Sequence, residues 1–339
     1  MRVGFNPKKD QEIQKSDYLH QVVVPVYIPN QEGYFKDSFQ ILKICLASLF
    51  KTCHSQTYIS VVNNGSCPEV FDYLNDLFKD NKIHEIIHTN NIGKLNAILK
   101  ATTGHQFQLT TITDCDVLFL NNWQSETYKV FKNFKKVGVV SPTPSPRLYK
   151  NLTHNIIFDH FFSKKLQITT TKNPEAIQKF AYSIGNVNFY NQNHCNKNLT
   201  VCNNNCFAVI GAGHFVATYK SSIFDQVKLK YTNFNLGGDS EYLILDKPAV
   251  DQGFWRLSTH DNFAYHLGNT LEPWMYEVLN EVIQEIKQTI KVPIDEKIKI
   301  NKIKTAYIYP VFQQIINRKK FWNWFLAFKG LTNIEVKEY

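Results

Sequence analysis

Arginine is scarce in this sequence: of 38 cationic side chains in 339 residues, four are Arg (Arg2, Arg147, Arg256 and Arg318). Bidentate Arg–guanine contacts are the commonest direct readout of DNA bases, and no recognisable nucleic-acid module accompanies the lysines. Nucleic acid is therefore not expected as a partner. Long apolar runs are missing as well. Phe321–Phe328 is far shorter than the roughly 20 residues a membrane-spanning helix needs. Met1–Ser16 is polar and lacks the apolar centre of a signal peptide, so a cytoplasmic protein is expected. The seven cysteines are odd in number and scattered, which argues for reduced thiols rather than a disulfide framework. His194, Cys195, Cys202 and Cys206 lack the tight turn spacing of a zinc hairpin, and no zinc is expected. No internal repeat is present.

What is there is ample for a globular chain: 43% hydrophobic and 14% aromatic residues, enough for one large domain or two small ones. The net charge of +9 first suggests an anionic partner. It is unevenly spread. Residues 287–329 hold ten Lys/Arg against two Asp/Glu, whereas residues 1–286 hold 27 against 25. Within 297–329 the cations sit among Trp322, Trp324, Phe321, Phe325 and Phe328. That mixture suits an anionic membrane surface, and it equally suits aromatic packing with solvated lysines.

The first 120 residues alternate strand and helix patterns. Gln21–Ile28, Thr57–Val62, Ile83–His88 and Phe107–Thr113 read as strands. Ser38–Lys51, a segment opened by Pro68, and Gly93–Ala101 read as helices. Repeated βαβ units predict an α/β fold with a mainly parallel sheet. Beyond residue 120 the pattern predicts a helix capped by Asn173 and stopped at Gly185, and a long loop over Asn186–Asn205. Strands follow at Cys206–Thr218, Phe254–Ser258 and Asn262–His266, with an amphipathic helix over Glu272–Ile290.

Ligands of open α/β sheets bind outside the carboxyl ends of the strands. Here those ends read Pro29-Asn30-Gln31, Asn63-Asn64-Gly65-Ser66, Asn90-Asn91-Ile92-Gly93-Lys94 and Asp114-Cys115-Asp116. Hydrogen-bonding groups, one Lys and two carboxylates suit a nucleotide diphosphate with a hard divalent cation.

At this point the sequence resembles glycosyltransferase family 2, of the GT-A nucleotide-sugar-dependent superfamily. The resemblance spans about residues 20–270 and rests on ordered motifs: VVVPVYIPN (22–30), VVNNGS (61–66), NNIGKLNAILKA (90–101), TITDCDVLF (111–119), GAGHFVATYKSSIFDQV (211–227) and GGDSEYLILDKPAVDQGFWRLS (237–258). It implies a GT-A catalytic domain over 1–270, with 271–339 as a helical, basic and aromatic extension. Asp116, with Asp114, would hold Mn2+ or Mg2+, and His266 of YHLGN would be the third ligand. Pro25 and Tyr27 would border the nucleobase, beside Asn63 and Asn64 where the family usually has an acid. Asn91, Gly93, Lys94 and Asp114 would contact the donor, and Gly213, His214, Gly238 and Glu241 would bind donor or acceptor. Asp239, in a turn where the family's preceding Glu is replaced by Gly238, would be the catalytic base.

The expected activity is metal-dependent, inverting transfer of a hexosyl or N-acetylhexosaminyl group from a nucleotide-diphosphate-sugar, a UDP-sugar favoured. The acceptor would be a glycan or lipid-linked glycan at the inner membrane face. The Gln-x-x-Arg-Trp motif of polymer synthases and the Gly-x-Gly-x-Arg loop of pyrophosphorylases are both absent. A retaining enzyme, or a non-catalytic GT-A binding module, is the alternative.

Overall fold

The computed structural model describes residues 4–6, 8–12, 16–285 and 300–338. Its strands, in chain order, are β1 (His20–Val26), β2 (Thr57–Asn64), β3 (Glu85–Thr89), β4 (Leu109–Thr113), β5 (Val117–Phe119), β6 (Val137–Ser141), β7 (Leu166–Thr170), β8 (Lys197–Asn203), β9 (Cys206–Ile210), β10 (Val216–Lys220), β11 (Trp255–Thr259) and β12 (Ala264–His266). Ten form one sheet in the order β3-β2-β1-β4-β10-β6-β11-β9-β8-β7, and β12 pairs with β5 separately. β1 to β4 pair in parallel, as do β6 and β11. Among the described residues β7, β9 and β10 run against the other strands of this sheet. The sheet is thus largely parallel in an α/β fold, as expected.

The sequence reasons are local. Val22, Val23, Val24 and Val26 are all fully buried, as a strand covered by helices on both faces requires. Pro68 opens the helix Pro68–Lys79 at its first turn, and the Asn173 side chain accepts the Ala176 N–H to cap Pro174–Ser183.

Under the amino ends of β1 and β4 lies a polar chain inside the core. His54 Nδ1 accepts the Gln56 N–H at 3.1 Å, so its proton sits on Nε2 and is donated to the Tyr128 hydroxyl at 2.7 Å. Tyr128 then donates to His20 Nδ1 at 2.5 Å, and His20 Nε2 donates to Thr111 Oγ1 at 2.6 Å. Each buried group is satisfied by its neighbour.

The structure corrects three readings. Cys206–Thr218 is not one strand: the chain leaves β9 at Gly211, with φ +94°, and returns as β10 between β4 and β6. Asn186–Asn205 is not one long loop: it holds a short helix, Gln192–Asn196, and strand β8. A capping box between Asn191 and His194 starts the helix. The Leu199/Val201 alternation, with Asn198 bonded to Tyr149 Oη at 2.9 Å, drives the strand inward. The helix from Pro273 stops at Glu281, not Ile290. Lys51 Nζ donates to the Leu279 and Val282 carbonyls, both at 3.0 Å, and satisfies that end. Residues 286–290 of that expectation, and 297–299 of the basic run, lie outside the described residues.

The C-terminal helices Tyr309–Ile316 and Lys319–Phe328 pack on the body. Phe312, Trp322, Phe325 and Leu326 join one core cluster with Val140, Phe161 and Leu257. Among the described residues no helix is long and apolar enough to cross a membrane.

Candidate active site

The carboxyl ends of β1, β2 and β4 open into a cavity of about 550 Å³. Pro25 and Tyr27 from the end of β1, Asn64 from β2, and Asp114 and Asp116 beyond β4 all line it. Tyr34 and Phe35 add an aromatic wall, with the Tyr27 and Phe35 rings edge to face at 5.9 Å. Asn235 and Leu236 cover the side above Lys94. That cover needs glycine at position 93, where φ is +87° and a Cβ would stand 2.7 Å from the Phe234 carbonyl. The Lys94 N–H donates to Asn235 O at 3.0 Å and closes the contact.

One carboxylate oxygen each from Asp114 and Asp116, and one nitrogen of His266, lie within 4.8 Å of one another. The pairing of β12 with β5 brings His266 opposite Val117, beside Asp116. Ser183 Oγ holds His266 Nδ1 at 2.8 Å, leaving Nε2 facing Asp116 Oδ2 at 3.5 Å. Asp116 Oδ1 is buried without a partner, which is costly unless a ligand supplies one. Burial raises the Asp116 carboxyl above its ordinary value; His266 opposes and Asp114 adds to that rise. A group of two carboxylates and an imidazole, with one oxygen unsatisfied, can hold a divalent cation.

A second set of charges adjoins the first. Lys94 Nζ is 2.6 Å from Asp114 Oδ1 and 3.1 Å from Glu241 Oε1. Burial pulls the Lys94 ammonium down, but Asp114 and Glu241 outweigh it and hold the amine above its ordinary value. His214 lies between two acids, 3.4 Å from Glu241 Oε2 and 3.4 Å from Asp246 Oδ2. The bond to Asp246 raises its pKa against desolvation. Asp246 is held in turn by the buried Arg256, at 2.5 Å, which also donates to Ala212 O at 2.7 Å.

Most of the expected residues therefore meet, and some do not. Asn91, Lys94, Asp114, Asp116 and Asn64 line the cavity, with Gly93 at its edge. Asn64 spends its amide on Asn91 Oδ1 (3.3 Å) and the Ile92 N–H (3.0 Å), bracing the loop. Asn63 is turned away, bonded to the Ser66 N–H and His88. Asp239 is exposed at φ +58°, following Gly238, while Glu241 points inward. Gly213 lies outside the cavity lining, one residue before His214. Sequence reasoning missed Tyr34, Phe35 and Leu236, which come from irregular segments, and the Asp246–Arg256 pair. For the last a signal existed: a single Arg inside the apolar strand WRLST.

The family model described as "Glycosyl transferase family 2" matches residues 22–191, which include this cavity's strand ends and both aspartates. The chain belongs to glycosyl transferase family 2. The largely parallel α/β sheet of this glycosyltransferase agrees with the fold that the resemblance implied. No curated protein sequence matches it. Solved structures similar to it include a mannosyltransferase from Pyrobaculum calidifontis in complex with GDP-Man and Mn2+ (12% identity, TM-score 0.43, covering 91% of this chain and 72% of that one). S. aureus TarS 1-349 in complex with UDP-GlcNAc is similar at 12% identity and TM-score 0.43, covering 92% and 71%. For S. aureus TarS the figures are 13%, 0.42, 77% and 38%.

Proposed function

We propose that this glycosyltransferase moves a hexosyl or N-acetylhexosaminyl group from a nucleotide-diphosphate-sugar to a hydroxyl of a glycan or lipid-linked glycan, with inversion. The carrying observation is the Asp114–Asp116–His266 group, with its unsatisfied Asp116 oxygen, at an aromatic-walled cavity. Those three residues would hold Mn2+ or Mg2+, which would supply charge neutralisation for the leaving diphosphate. Tyr27, Tyr34 and Phe35 offer a stacking surface for the nucleobase, and Lys94 a cation for the diphosphate. Residues 1–270 carry the chemistry, with 271–339 as an extension, and the acceptor would be met at the inner face of the cell membrane.

Inversion needs one carboxylate to take the acceptor proton as the hydroxyl oxygen attacks the anomeric carbon. The family resemblance assigns that base to Asp239, with Gly238 allowing close approach. The geometry favours a second assignment, Glu241, because its carboxylate is aimed at Lys94 and His214 while Asp239 faces solvent.

A panel of nucleotide sugars, UDP-sugars first, screened by thermal shift with and without Mn2+ tests the reading, since a bound ligand stabilises the folded state by mass action. Metal-dependent stabilisation by one donor is expected. Stabilisation by none would leave a non-catalytic binding module. NMR of the product anomer decides the stereochemistry, and retention would remove both base assignments.

A further inference from the structure

The Lys-rich end of the chain divides its rings between interior and surface. Trp322 and Phe325 are buried, whereas Trp324 and Phe328 of the same helix stay half exposed. Trp324 stacks on Phe328 with centroids 5.8 Å apart and planes 15° from parallel. Phe328 in turn meets the ring of Phe162 at 6.4 Å. Phe162 is 84% exposed, the most exposed large apolar side chain among the described residues, while its neighbour Phe161 fills the core beneath. The preceding helical segment repeats the feature: Ile303, Tyr307, Val311 and Ile315, one every four residues, are exposed, while Phe312 and Ile316 face inward.

Charge identifies the occupant. The segments that carry these rings, 160–170 and 317–331, contain six Lys/Arg and no Asp or Glu, and the adjoining Asp159 is paired with Lys136. Next to it Lys132, Lys136 and Lys165, with Asp159 as the acidic member, line a cavity of about 490 Å³. A second copy of the chain would set like charges against each other. An anionic bilayer offers what both parts need: phosphates for the lysines and an acyl boundary for the rings.

We propose that this face docks on an anionic lipid bilayer, with Phe162, Trp324 and Phe328 entering the headgroup–acyl boundary and the surrounding lysines lying among the headgroup phosphates. The proposal deepens the membrane part of the preceding reading, and it stands whether or not sugar transfer occurs.

Flotation of the full chain tests it, with vesicles of phosphatidylcholine alone and with about 30% phosphatidylglycerol added. The protein is expected to float with the anionic vesicles, and to be released as salt rises from about 0.1 M to about 0.5 M. Phe162→Ser with Phe328→Ser is expected to lower partitioning about tenfold or more, with the nucleotide-sugar thermal shift as in the parent. Phe162→Trp should retain flotation, with a blue-shifted emission on anionic vesicles. Three results would each overturn the proposal: no flotation of the parent, equal flotation of the double variant, or a solution dimer split by Phe162→Ser. Nucleotide-sugar binding is read separately, so failure of one reading is distinguishable from failure of the other.

Discussion

Glu241 Oε1 and Lys94 Nζ stand 3.1 Å apart across 147 positions of sequence. The contact ties the acidic turn to the helix that opens beside the strand-end cavity, and it gives Glu241 a fixed direction that Asp239 lacks.

Substitution separates the two candidate bases. If Glu241 is the base, Glu241→Gln lowers kcat about 10²–10⁴-fold, while Asp239→Asn stays within a few-fold of the parent. The opposite pattern restores Asp239. Calorimetry of donor binding to each variant distinguishes a catalytic loss from a binding loss.

The metal group makes a second prediction. Asp116→Ala should abolish the Mn2+-dependent thermal shift, and with it about 2.7 kcal/mol of stabilisation at a hundredfold excess over Kd. Gly268→Ala should weaken the same shift without touching a ligand. Gly268 has φ +72°, and a Cβ there would lie 2.4 Å from Ser183 O; Ser183 is the residue that orients His266. An unchanged shift in Asp116→Ala would dismiss the site.

Arg256 is held by Asp246 in the interior, 2.5 Å away. Arg256→Met leaves the buried Asp246 carboxylate with His214 as its remaining charged partner, and urea denaturation should show a loss of about 3 kcal/mol. Adding Asp246→Asn should return much of it, because the stranded charge is then gone. A second variant no more stable than the first would mean the cost came from packing.

Acid should loosen the fold through the histidine chain. Burial pulls His54 down to about 4. His20 is also held well below its ordinary value, by burial first and then by His54. Both are neutral in the folded state, whereas unfolded histidine takes its proton near 6.5. Stability from these groups is therefore complete above about pH 6.5 and is lost as pH falls towards about 4. Unfolding temperature measured across that interval should drop, and His54→Gln should flatten the drop.

The parallel half of the sheet was legible because its strands are β-branched and buried on both faces, so Val22–Val26 announce themselves without context. Of the candidate metal group, Asp114 and Asp116 were legible as the polar end of a strand, whereas His266 came only with the family resemblance, because its place beside Asp116 depends on β12 pairing with β5. The cavity wall was not, since Tyr34, Phe35 and Leu236 come from segments without periodicity, and their meeting depends on how the loops close. Strand β8 hid behind asparagines. Asn198 reads as a surface residue until Tyr149, 49 positions away, supplies its hydrogen-bond partner.

The core cluster that joins Trp322, Phe325, Leu331 and Val336 to Val140 and Leu257 has a consequence for biosynthesis. Domains tend to fold as units while the chain is made. Here β6 and β11 already have the helix Trp123–Asn133 against them, whereas the helix His154–Asp159 with the rings of Phe158 and Phe161 gains its cover only from Tyr309–Ile316, made 150 positions later.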